Sequence, residues 1–163
     1  MSVQNKQTGS GYKFHATNSM NTTSWRYECA EWDSLKSVTC VTLTRIGKLP
    51  GWGAKPSTEC IAMLDSVLRR VPLEVAVLDR HDFPTFTCRA WFREAIRYLH
   101  QSRYIVCPEV LTLETRLTNL AIAIHSKGEK RPLVMPPLVW PDYAPSVSSP
   151  MVYQHGLPFT SCI

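Results

Sequence analysis

Tyr12-Lys13-Phe14-His15-Ala16, then Asn18-Ser19-Met20-Asn21-Thr22-Thr23, then Trp25-Arg26-Tyr27-Glu28-Cys29 together read as a β-hairpin. Alternation sets Tyr12, Phe14 and Ala16 on one face of the first strand and Lys13 and His15 on the other. The six turn-rich residues between the strands supply the loop. A third strand is expected over residues 38–46, where β-branched residues crowd, with Gly47 closing it. The ten residues that follow, with Pro50, Gly51, Gly53 and Pro56, read as a loop.

Downstream the period changes from two to 3.6. Ser57 and Glu59 suit a helix start, and Cys60, Met63, Leu64, Val67 and Leu68 recur at helical spacing until Pro72 forbids continuation. Residues 73–78 read as a short apolar strand or extended segment, and Asp79 to Pro84 as a polar loop. A second helix, capped by Thr85 or Thr87, carries the stripe Cys88, Trp91, Phe92, Ala95, Ile96 and Leu99, with Arg89, Arg93, Glu94 and Arg97 on its other face. A third is striped by Val110, Leu113, Leu117, Leu120, Ala121 and Ile124, with Glu114 expected on its solvated side. The fold class is therefore α+β: a small, mainly antiparallel sheet of three or four strands packed on two or three helices.

Two units are expected, an α+β domain over residues 1–126 and a proline-rich disordered tail over 127–163. Seven of the 12 prolines, Pro132, Pro136, Pro137, Pro141, Pro145, Pro150 and Pro158, fall in that tail. Proline removes a backbone donor and is excluded from helix interiors and central strands. The net charge of +5 is spread over scattered Lys and Arg, which points to a solvated surface and argues against a nucleic-acid partner. No run of about 18 apolar residues exists, so no membrane span is expected. The polar N-terminus lacks the apolar centre of a secretory signal, so a cytoplasmic location and a reducing compartment are expected. The six cysteines are accordingly read as mostly free and mostly buried, and no spacing among them suits a metal. No glycine-rich phosphate loop is present either, and no cofactor is expected.

One cysteine stands out. Cys88 falls in the first turn of the second helix, where unpaired amides and the helix dipole favour a thiolate. A nucleophilic thiol needs a base, and a histidine suits the task near neutrality. His15 sits on a strand, while His81 lies in the Asp79–Asp82 loop. His100 is about 18 Å along the helix from Cys88 and out of reach. Cys88 also belongs to the apolar stripe, so an inert core cysteine competes with the nucleophile reading.

The runs Gly11-Tyr12-Lys13-Phe14-His15-Ala16-Thr17-Asn18, Trp25-Arg26-Tyr27-Glu28, Thr44-Arg45-Ile46-Gly47-Lys48-Leu49 and Phe86-Thr87-Cys88-Arg89-Ala90-Trp91 resemble a group of fungal proteins. Their order, a strand with His, a hairpin, a strand and then Cys at a helix start, is similar to the permuted papain-like folds. Those include the lecithin:retinol acyltransferase-like, NlpC/P60-like and PPPDE peptidase groups. The resemblance implies a cysteine hydrolase scaffold in which Cys88 matches the nucleophile and His15 the second-strand histidine. No histidine precedes His15, and no strand is expected before Gly9. The resemblance thus implies an N-terminally shortened scaffold, inactive or weakly active, with an exposed edge beside the Phe14 strand. The alternative is a protein-interaction module that offers its proline-rich tail, residues 133–145 above all, to an aromatic-lined groove.

Overall fold

The computed structural model describes residues 2–4, 10–20, 24–37, 40, 42–47, 57–126, 133–135 and 159–162. They form an α+β structure. Strands β2 (Ser10–Thr17) and β3 (Arg26–Asp33) make the expected hairpin, paired antiparallel from Ser10↔Asp33 to Thr17↔Arg26. Three helices, α1 (Ser57–Leu68), α2 (Cys88–Gln101) and α3 (Val110–His125), pack against it. Strands β1 (Ser2–Gln4), β4 (Thr42–Gly47), β5 (Leu133–Met135) and β6 (Phe159–Cys162) extend the sheet to the order β3-β2-β1-β6-β4-β5. Pairing is antiparallel except between β4 and β5.

The alternation of β2 decides which face is covered. Phe14 and Ala16 are buried among Leu64, Leu68, Trp91, Ile96, Leu99 and Leu117, while Lys13 and His15 look the other way. Each helix delivers the core side of its expected stripe: Cys60, Leu64, Val67 and Leu68 from α1, Trp91, Ala95, Ile96 and Leu99 from α2, and Val110, Leu113, Leu117 and Ile124 from α3. Thr87 rather than Thr85 caps α2, its hydroxyl accepting from the Ala90 N–H at 3.2 Å. At the other end Arg103 takes a left-handed conformation (φ 61°), and Tyr104 N–H donates to the Leu99 carbonyl at 2.9 Å. That bond closes the last turn as a C-terminal cap with a side chain where glycine is usual. Gly47 ends β4 close against the next layer: a Cβ there would stand 2.6 Å from Ile105 Cγ2.

Several expectations change. The β2 edge is not bare, because β1 pairs along it through Ser2↔Lys13, Val3↔Tyr12 and Gln4↔Gly11. Three residues are too few to display an alternation, which is why no strand is legible there. Residues 127–163 are not wholly a free tail. The proline-free run Leu133–Met135 and the run Phe159–Cys162 are strands in the sheet, and the tail's remaining residues lie outside the described ones. Residues 73–78 form no strand, and a single 3-10 turn occupies Val77–Asp79. Of the third expected strand, only its second half and Gly47 are strand in β4, with 38, 39 and 41 outside the described residues. Cys40 is buried and disulfide-bonded, while Cys29, Cys60, Cys88 and Cys107 are free, Cys60 and Cys107 buried and Cys88 exposed. Among the described residues no helix is long and apolar enough to cross a membrane.

Candidate functional site

Cys88 is the first residue of α2 and is exposed, not part of the buried stripe. Cys88 shares the helical spacing of Trp91 and Ala95, which are buried in the core, but as the first residue of α2 it stands at the helix end and is left exposed. No described side chain bonds its sulfur.

His15 is held elsewhere. It points to the face of β2 opposite Phe14 and Ala16, away from the helices, and stands directly across from Glu28 on β3. Nε2 lies 3.4 Å from Glu28 Oε2, yet this buried nitrogen has no aligned hydrogen-bond partner. Burial, and then the neighbouring Lys13 charge, push the imidazole pKa down to about 4 against the opposing pull of Glu28. Cys88 and His15 are thus on different sides of the sheet, and β2 separates them. His81 is fully exposed and 3.2 Å from Asp82. His100 accepts the Cys107 N–H at Nδ1 (3.4 Å), which ties the segment after α2 to the helix end. His125 is exposed, and His155 lies outside the described residues.

Other thiols are tied down. Tyr27 donates to Asp65 Oδ1 at 2.8 Å, Arg69 donates to Asp65 Oδ2 at 2.8 Å, and the Arg69 head lies over the Tyr27 ring. Burial and the Asp65 carboxylate raise the Cys29 thiol, so it stays protonated. Burial pushes the Cys107 thiol up to about 11. Neither is poised as a nucleophile.

The densest polar constellation was not expected. Arg93 is 6% exposed and donates to Glu114 (2.6 Å), Asp82 (2.7 Å) and Asp79 (3.0 Å). Arg97 grips Asp79 with both terminal nitrogens (2.6 and 2.8 Å) and reaches Glu94, while Arg89 bonds the other Glu114 oxygen at 2.9 Å. The Phe83 ring lies under the Arg93 and Arg89 head groups. Burial alone would raise the Asp79 carboxyl, but the Arg97 and Arg93 guanidiniums outweigh it and hold it below the usual range. Glu114 and Arg93 therefore belong to the interior, correcting their placement on solvated faces. The signal was available: Arg89, Arg93 and Arg97 recur every four residues with one carboxylate, Glu94, among them, so their partners had to come from other elements. Every acid in the network is ion-paired, which makes it a brace that locks α2 to α3 and to the 79–83 turn.

That brace creates an exposed feature. Asp79 is 2% exposed, while its neighbours Val77 and Leu78 are 73% and 81% exposed. A separate pocket of about 280 Å³ is lined by Thr17, Asn18, Met20, Ser24, Trp25 and Arg26. Its lining holds no carboxylate, imidazole or thiol. Among the described residues no three His, Cys, Asp or Glu side chains group as metal ligands. No protein-family model, curated protein or solved structure matches this chain.

Proposed function

We propose that this chain is a protein-binding module whose docking feature is the turn bearing Val77 and Leu78. The observation that carries the reading is the pairing of two adjacent, solvent-facing apolar side chains with a buried, doubly gripped Asp79. Isolated exposed apolar residues are ordinary. Here the turn is held rigid from beneath, so its apolar tips cannot fold inward, and a partner meets a preorganised knob. Leu73, on the same connection, adds to the apolar surface. The fitting partner is a protein with an apolar recess. A photo-cross-linker at position 78 is expected to give a discrete adduct in native extract. Val77→Ser with Leu78→Ser, read with the cross-linker moved to position 73, is expected to abolish the adduct while changing stability by less than about 0.5 kcal/mol. An adduct that survives the double substitution overturns this reading.

The papain-like resemblance supports a second reading, a cysteine hydrolase scaffold with Cys88 as nucleophile, and the exposed helix-start position of that thiol favours it. With His15 turned to the other face, the histidine that the resemblance pairs with this thiol is not on its side of the sheet, and the binding reading is preferred. In the native protein Cys88 is expected to alkylate faster than Cys60 and Cys107, which exposure alone requires. The discriminating measurement is the pH dependence of that rate. A rate that stays high well below the ordinary thiol range marks an activated thiolate, whereas a rate that follows an ordinary thiol titration removes the hydrolase reading.

A further inference from the structure

The sheet ends on β3. Its inner side is paired to β2 without a break over all eight residues, and among the described residues its outer side faces no other strand. Among the described residues no loop or helix backbone bonds to that outer side. Unpaired N–H and C=O groups in a row are a template for another strand, and proteins usually blunt such an edge with charged side chains, proline, a bulge or short length. Arg26-Tyr27-Glu28-Cys29-Ala30-Glu31-Trp32-Asp33 has no proline, lysine or bulge and is eight residues long, and its four charges, Arg26, Glu28, Glu31 and Asp33, are of mixed sign, so that the register of a partner strand decides whether they repel. We propose that β3 is a dimerisation edge that pairs antiparallel with β3 of a second copy of this chain, continuing one sheet across a two-fold axis.

The side-chain pattern selects that occupant. Residues directly opposite in an antiparallel pair share a face. Both copies carry their helices on the Tyr27, Cys29 and Glu31 face, so only registers that set odd positions opposite odd positions fit. Centred on Glu28, the pairing opposes two carboxylates and is disfavoured. Centred on Ala30, it leaves Arg26 beyond the end of the partner strand and sets Cys29 against Glu31. Centred on Cys29, it sets Arg26 opposite Trp32, Tyr27 opposite Glu31 and Glu28 opposite Ala30, each twice by symmetry. No like charges are directly opposed, and the guanidinium meets an indole face. Glu31 already accepts from Tyr12 on its own sheet at 3.4 Å, so its carboxylate is aimed along the helix-side face. This surface is distinct from the Val77–Leu78 turn and does not depend on it.

Sedimentation velocity of the full chain over a range of concentrations tests the proposal, with a non-reducing gel to identify disulfide-linked species. The expected result is a reversible dimer of twice 18.5 kDa. Trp32→Lys places an ammonium opposite Arg26 of the other copy at both ends and is expected to weaken the dimer by about 100-fold. Adding Arg26→Glu sets opposite charges across the edge and restores the dimer. Arg26 is exposed and, among the described residues, makes a long ion pair of 3.8 Å with Glu28, so Arg26→Glu alone keeps the fold and weakens the dimer through loss of the indole contact. Circular dichroism verifies each variant, and if Trp32→Lys fails to fold, Arg26→Glu alone carries the test. A monomer at every concentration, a dimer indifferent to these changes, or a Trp32→Lys monomer not rescued by the second change overturns the proposal.

Discussion

Arg93→Ala is expected to destabilise the protein by about 3–5 kcal/mol in equilibrium urea unfolding, the range for removing one partner of a buried charge pair. The size follows from what stays behind. Asp79 and Glu114 are 2% and 6% exposed, and each loses its short bond to Arg93. Arg97 still grips Asp79 and Arg89 still reaches Glu114, so the loss falls toward the lower end of the range. Arg93→Lys keeps a positive charge but not the fork that bonds three carboxylates at once, and an intermediate loss is expected. Arg89→Ala is the control: its side chain is 63% exposed, and solvent screening limits the loss to about 1 kcal/mol or less. The sign with pH is also set. The Asp79 carboxyl is held below its ordinary range, so its contribution is present above the unfolded carboxylate pKa and lost as pH falls through the lower, folded value. Arg93→Ala weakens that hold, and the acid unfolding midpoint is expected to move up. Equal stability of Arg93→Ala and wild type would remove the brace, and with it the anchored turn at Val77 and Leu78.

The hairpin was legible because Phe14 and Ala16 alternate with Lys13 and His15, and a half-buried strand leaves that trace in any sequence. The three helices were legible from their stripes and from Pro72 and a threonine cap, Thr85 or Thr87, as punctuation. Arg93 was not. Polar residues on the far side of an apolar stripe read as solvated, and only partners distant in sequence, Asp79 and Glu114, reveal that a second layer closes over them. β1, β5 and β6 escaped notice because strands of three or four residues show no period, and their pairing is decided by neighbours far along the chain. Of the candidate site, sequence reasoning put Cys88 at its helix start and His15 on its strand, each where the fold has it. It could not say that the alternation which buries Phe14 also turns His15 away from the helix bearing Cys88. That conclusion needs the side of the sheet on which the helices pack.

His15 gives the second large expected effect. As pH falls from neutrality toward 4.5, the wild type is expected to lose most of about 3 kcal/mol of stability, and His15→Gln is expected to be nearly flat over the same window by comparison. The imidazole pKa is lowered by burial from 6.5 to about 4. Above 6.5 it is neutral in both the folded and unfolded states and contributes no pH dependence. Between 6.5 and 4 the unfolded chain takes up a proton that the folded chain resists, so acidification favours unfolding. Below 4 both states are charged and the full cost remains. Glu28, 3.4 Å away on β3, opposes the shift, while Lys13 on the same strand reinforces it. Glu28→Gln should therefore lower the imidazole pKa further and deepen the loss at the acid end of the window. The measurement is urea unfolding at intervals from pH 7 to 4.5 for wild type, His15→Gln and Glu28→Gln, with imidazole titration followed by NMR. A folded-state imidazole that titrates at its ordinary value, or a wild type whose stability parallels His15→Gln throughout, would mean that the β2–β3 outer face leaves His15 solvated.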